Sequence, residues 1–189
     1  MTTNFLETSK KQFEYYKLLG EKTFEQLTEE QLFYSANEES NSIAIIVKHL
    51  YGNMLSRWTD FLTTDGEKET RNRDAEFEND ITSKVVLLER WNNGWDCLFT
   101  CLNSLNDNDL SKIIYIRNQG CNVMDAILRQ LAHYPYHIGQ IVFIGKMLSN
   151  NEWQSLSIPK NGSTTYNSEK FSTPKEHRHF TDEYLKKKK

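Results

Sequence analysis

Apolar residues recur at three- and four-residue steps in four long blocks, with polar stretches between them. From Phe5 to about Leu27, the residues Leu6, Phe13, Tyr16, Leu19, Phe24 and Leu27 stand among Lys, Glu and Gln, which predicts a first long helix. Thr28 then opens TEEQL, with a hydroxyl for backbone N–H groups and negative charge near a helix start, so a short helical turn is expected there. A second long helix is predicted from about Ser42 to Leu62, where Ile43, Ile46, Val47, Leu50, Met54, Trp58 and Phe61 draw a broad apolar stripe. The third runs from about Asp80 to Leu105 on Val85, Leu88, Trp91, Trp95, Leu98 and Leu102, with Gly94 tolerated at some cost. The fourth spans Met124 to about Leu148 and is interrupted by Pro135.

Between these blocks the pattern changes character. TTDGEKETRNRDAEFEN is charged and holds the Asp65-Gly66 turn signal, so it reads as a solvated or salt-linked connection. KIIYIRNQGCNV carries β-branched and aromatic residues before a turn at Asn118-Gln119-Gly120, which predicts a short β-hairpin between the third and fourth helices. After Asn151 the chain turns polar and Ser/Thr-rich up to four terminal Lys, the signature of an extended arm, with room for a short helix before the lysines. The expected architecture is therefore all-α: a four-helix bundle over residues 1–158, a hairpin insert, and a polar arm over 159–189.

Composition narrows the function. Lys and Arg number 23 against 26 Asp and Glu, a formal charge of −3, so no global positive field recruits nucleic acid or an anionic membrane. No apolar run approaches the ~20 residues of a bilayer span, and the polar start lacks a signal-peptide core, so a cytoplasmic protein is expected. Cys97, Cys101 and Cys121 are an odd number, which disfavours a disulfide framework. Cys97 and Cys101 stand one helical turn apart and could form a thiolate pair, but their apolar neighbours favour buried small residues; Cys121 sits by the hairpin turn. Trp58, Trp91, Trp95 and Trp153 read as core or interface aromatics.

The candidate chemistry lies in histidine. His133 and His137 stand at i, i+4 on the fourth helix, the spacing that lets two imidazoles grip one metal ion. The segment is HYPYH rather than HExxH, so it lacks a zinc protease's general base. His49 lies among apolar residues of the second helix, where an unpaired imidazole is costly to bury. It is either a core histidine bonded to a backbone carbonyl or, if the second and fourth helices face each other, the third nitrogen of a site with open positions. Asn53, one turn after His49, and Gln140, close to His137, could orient a ligand or be ordinary amides. No Asp or Glu stands beside these histidines in sequence, and His177 and His179 fall in the polar arm, where solvent-facing side chains are expected.

The blocks ESNSIAIIVKHLYGNMLSRWTDFLTTDGEKETRNRDAEFE and LRQLAHYPYHIGQIVFIGKMLSNNEWQSLSIPK resemble the DinB/YfiT-like superfamily, in its DUF1572 branch, over about Phe5 to Pro159. The resemblance implies a four-helix bundle, often homodimeric, whose histidines His49, His133 and His137 bind a divalent metal, zinc or nickel foremost. Where many relatives have Arg after the last of these histidines, this chain has Ile138. Some members resemble thiol S-transferases that use a low-molecular-weight thiol such as bacillithiol or mycothiol, and others metal-dependent isomerases or hydrolases. The leading expectation is thus a metal-dependent enzyme, a thiol transferase for preference, because a metal held by neutral imidazoles stabilises a thiolate without a dedicated protein base. The alternative is a non-catalytic, stress-associated homodimer that binds metal without turnover, and the blandest reading is a helical dimer with three core histidines and no metal.

Overall fold

The computed structural model describes residues 4–185, so the terminal lysine run lies outside the described residues. The chain is mostly helical, with one two-stranded antiparallel hairpin. The long helices are α1 (Phe5–Phe24), α3 (Ile43–Trp58), α4 (Lys84–Ser104) and α5 (Val123–Ser149); α2 (Glu29–Phe33) is a short turn between the first two. Helix α3 packs on α4 and α5, and α1 packs on α5 and α4, so the four close a ring around one apolar core.

Local chemistry sets the boundaries. Thr28 caps α2 reciprocally: its hydroxyl accepts from the Gln31 amide at 3.3 Å, and the Gln31 side-chain oxygen accepts from the Thr28 amide at 2.9 Å. Ser42, Ser83 and Asn122 cap α3, α4 and α5 by accepting from the amide three residues on. Helix α3 stops at Trp58, four residues before the predicted end, and Asp60 follows with φ 48°. The Asp60 carbonyl accepts from the amides of Thr63 and Thr64, so the chain turns there rather than continuing the helix. Pro135 lies inside α5 without ending it; the helix forgoes one amide donor and is held by its buried face on α1 and α3.

The hairpin pairs β1 (Ile113–Ile116) with β2 (Gln119–Asn122). Its turn residues are Arg117 and Asn118, with φ of 56° and 59°, one position before the turn expected from sequence. Asp65 accepts from both turn amides at 2.8 Å, and the Gly66 amide donates to the Tyr115 carbonyl. The long connection after α3 is therefore tied down at its start rather than free in solvent. The arm is not wholly extended: it forms α6 (Ser163–Phe171) and α7 (Asp182–Leu185), and α7 returns to α1 through Lys11 and Asp182 at 2.9 Å.

An aromatic column fills the core. Phe13 is fully buried, with its ring centroid 5.8 Å from Tyr134 and 6.4 Å from both Trp58 and Trp95. Trp95 continues the column to Trp91, which meets Phe24 edge-on. The polar tip of Tyr134 is accommodated within it: the Trp58 indole N–H donates to its hydroxyl at 2.9 Å, and that hydroxyl donates to Asn53 Oδ1 at 3.0 Å. Tyr134→Phe should cost about 1–3 kcal/mol, because it strands a buried indole N–H and a buried amide oxygen. Equilibrium urea unfolding checks this, and a loss below about 0.5 kcal/mol would show that neither group depends on the hydroxyl.

Candidate metal centre

His49 enters from α3, and His133 and His137 from α5. The helices face each other at this level, and the three rings meet edge to face, with centroids 4.8–5.5 Å apart. Their Nε2 atoms converge: His133 lies 3.1 Å from His137 and 3.5 Å from His49. His49 is buried and the other two are half-buried, so the cluster sits at the core's edge.

Each ring is oriented from behind. His49 Nδ1 donates to Glu76 Oε2 at 2.9 Å, His133 Nδ1 to Gln130 Oε1 at 3.3 Å, and His137 Nδ1 to Gln140 Oε1 at 3.0 Å. A neutral imidazole carries one N–H, so placing it on Nδ1 leaves Nε2 a bare lone pair. Three such lone pairs pointed at one another repel unless a cation lies between them. For tetrahedral coordination at ~2.05 Å, ligand nitrogens stand about 3.3 Å apart; two of the pairs stand at 3.1 and 3.5 Å, and all three nitrogens lie within 4.8 Å of one another. The donor set, its spacing and its tautomers fit a divalent ion, and borderline imidazole ligands suit zinc, nickel, copper or iron.

Electrostatics hold His133 and His137 neutral. Burial, reinforced by His137 and His49, pushes His133 down to about 3. Burial also lowers His137, against an opposing hydrogen bond from Gln140. For Glu76, burial alone would raise the pKa, but hydrogen bonds from His49 and Arg71 outweigh it and hold the carboxyl below its usual range. The folded chain thus binds fewer protons here than the unfolded one, and its stability rises with pH over that interval. Metal-free protein should lose stability as pH falls from about 6.5 toward 3, the window set by His133, with Glu76 adding to the loss at its acid end. Thermal melts in chelator between pH 7 and 5 test this, and a melting temperature that rises on acidification would contradict it.

Sequence reasoning missed Gln130, three residues before His133, and Glu76, 27 residues from His49. Glu76 comes from a 3-10 turn, Asp74–Phe77, in the connection read as solvated, yet it is only 5% exposed. Arg71 clamps it through Nε to Oε1 at 2.7 Å and Nη2 to Oε2 at 2.9 Å, while Glu67 receives the third Arg71 nitrogen at 3.0 Å. Gly52, one turn after His49, makes the approach possible, since a Cβ there would run into the Glu76 carboxylate. Phe77 of the same turn stacks on His49, with centroids 5.0 Å apart, and the Arg73 guanidinium lies over the Phe77 ring, 5.2 Å from its centroid. The only advance signal was the salt-linked mixture of charges in RNRDAEFE, which does not say which carboxylate is buried.

The other sequence candidates separate cleanly. Gln140 orients His137, whereas Asn53 is taken up by the Tyr134 hydroxyl. His177 and His179 lie away from the cluster, and His179 is engaged with Thr181 at 2.8 Å. The cysteines are free; burial drives the Cys101 thiol up to about 12, so it is inert as a nucleophile at neutral pH.

Among known proteins, a family model described as a protein of unknown function (DUF1572) matches residues 1–162. The chain belongs to the DUF1572 family. Every residue of the histidine cluster and its supports falls within the matched span, which ends one residue before α6. No curated protein and no solved structure matches this DUF1572 chain. Among the described residues, no helix is long and apolar enough to cross a membrane.

Proposed function

We propose that this DUF1572 protein is a divalent-metal-dependent enzyme of the DinB-like superfamily, with His49, His133 and His137 as the ligands and a low-molecular-weight-thiol S-transfer as its reaction class. The closed ring of α1, α3, α4 and α5 is, in this reading, the four-helix bundle of that superfamily, which builds sites from side chains on facing helices. The observation that carries the proposal is the convergence of three Nε2 atoms whose Nδ1 partners are all acceptors. A core histidine satisfied by one carbonyl needs no such arrangement.

When bound, a divalent ion would supply Lewis acidity and stabilise a thiolate or polarise a carbonyl. The chain's own contribution is to fix the tautomers and ring planes before the ion arrives. Glu76 places a negative charge behind His49 and holds its proton on Nδ1, while Gln130 and Gln140 orient their rings without adding charge. Three protein ligands are the number found in catalytic rather than structural zinc sites. Among the described residues, no further His, Cys, Asp or Glu joins the cluster to close it. This favours an enzyme over the non-catalytic, stress-associated metal-binding alternative.

Elemental analysis of protein purified without a metal-affinity tag, beside His49→Ala, tests the reading. About one equivalent of divalent metal in the wild type, lost in the variant, is the expected result. Thiols with electrophilic acceptors are then assayed with the metal-loaded protein. A wild type that neither contains metal nor can be loaded would make the three histidines structural, and the enzyme reading would fall with them.

A further inference from the structure

Helix α3 and the connection that follows it enclose a slot of about 670 Å³, within the roughly 300–1,000 Å³ of small-molecule sites. It runs along about 16 Å of chain, from Lys48 to Thr59 at the helical rise per residue. Tyr51 and Leu55, one turn apart on α3, and Ala75 of the connection give its middle an apolar lining. Glu76 and Arg71 also line it, where the missing side chain of Gly52 lets the carboxylate close on the helix. Their charges are spent on each other, on His49 and on Glu67, so this part of the slot asks for no counter-ion.

The two ends differ in how their charges are matched. At the Lys48 end, Nζ lies 2.6 Å from Asp80 and donates to the Glu78 carbonyl at 2.9 Å, and Arg90 approaches Asp80 at 3.7 Å. That end is salt-linked. At the other end stand Lys68 and Asp60. The Lys68 amide donates to Ser56 Oγ at 3.1 Å, which seats this residue beside the end of α3, and its Nζ donates to the Asp65 carbonyl at 2.6 Å. Asp60 is used by Thr63 and Thr64 through its carbonyl, not its carboxylate. Among the described residues, neither Lys68 nor Asp60 forms an ion pair, with the other or with a third group. Burial draws the Lys68 pKa below its usual value, against the pull of the Asp60 and Asp65 carboxylates, so this ammonium is partly dehydrated without a counter-ion.

An unmatched cation and an unmatched anion at one end of an apolar-centred slot suit a ligand whose head carries both charges. The lining as a whole holds four cationic side chains against three carboxylates, too even a balance for a polyanion such as a nucleotide. We propose that the slot binds an α-amino acid with a large apolar side chain, its carboxylate on Lys68, its ammonium on Asp60 and its side chain along Tyr51 and Leu55. The site shares the Glu76 wall with the histidine cluster, but the inference does not depend on a metal.

Titration calorimetry of the full chain with L-tryptophan, up to about 10 mM, tests this. Two analogues keep the indole body and lose one charge each: indole-3-propionate lacks the ammonium, and tryptamine lacks the carboxylate. Wild-type protein should bind tryptophan at least about tenfold more tightly than either. Lys68→Met keeps the apolar stem and should abolish the preference over tryptamine. Asp60→Asn should abolish the preference over indole-3-propionate, and Asn tolerates the left-handed backbone at that position (φ 48°) as Asp does. Both variants should match the wild type in circular dichroism and metal content, since neither side chain touches the histidines or their supports. No binding of tryptophan by about 10 mM, analogues that bind as tightly as tryptophan, or variants that keep the wild-type preferences would each overturn the proposal.

Discussion

Glu76→Ala should weaken divalent-metal binding by about 10- to 100-fold and lower stability by about 3 kcal/mol. Two effects combine. His49 loses the acceptor that fixes its N–H on Nδ1, so its ring can turn or carry the proton on the nitrogen needed for the metal. Arg71, buried behind it, loses its bidentate partner and keeps only Glu67. An uncompensated buried charge typically costs about 3–5 kcal/mol, and the remaining Glu67 contact places the expectation at the lower end. Glu76→Gln should fall between wild type and Ala in affinity, because an amide oxygen still accepts from the ring but places no charge behind it. Competition with a chromophoric chelator measures affinity, and urea unfolding in chelator measures stability without metal. Wild-type affinity in Glu76→Ala would show that His49 needs no orienting partner.

Phe13→Ala should be the most destabilising single core truncation of the aromatic column, at about 3–5 kcal/mol. The ring is fully buried and touches Trp58, Trp95 and Tyr134, so its removal leaves a cavity bounded by large planar groups that cannot close inward by small rotations. A secondary effect follows along α5. Tyr134 is adjacent to His133, with ring centroids 5.5 Å apart, and loosening one loosens the other. Metal affinity should therefore fall by a few-fold while the Glu76 contact stays intact. Calorimetric melts with and without metal separate the two effects, and a stability loss under about 1 kcal/mol would mean that the column repacks.

Where periodicity is strong, structure follows it closely. The four helices, the capped turn at Thr28 and the hairpin all rest on local signals, namely apolar spacing, hydroxyl caps and β-branched runs around a turn. His133 and His137 were legible for the same reason, since i, i+4 spacing fixes their common face without knowledge of the rest of the fold. His49 needed the facing of α3 and α5, which sequence spacing alone leaves open.

The supporting shell divides along the same line. Gln140 lies three residues from His137 and is visible as a neighbour, while Gln130 occupies the mirror-image position three residues before His133. Glu76 lies 27 residues from His49 in a loop whose charges look uniformly solvated. Its burial depends on Arg71, on the absence of a side chain at Gly52 and on Asp65 anchoring the connection to the hairpin. No local pattern encodes that conjunction. The end of α3 was missed for a similar reason: Phe61 and Leu62 continue the apolar spacing, but Asp60 adopts a left-handed backbone that spacing does not register.

The spacing of the α5 supports has an evolutionary and engineering consequence. Gln130, His133, His137 and Gln140 form a near-palindrome centred on Pro135, so eleven consecutive residues carry two imidazoles together with the acceptors that set their tautomers. That half of the centre is a portable cassette: grafted onto another exposed helix, it brings its own orientation with it. The half contributed by His49 cannot be moved without the loop, the arginine and the glycine that surround it, so divergence among relatives should fall on the α3 side first.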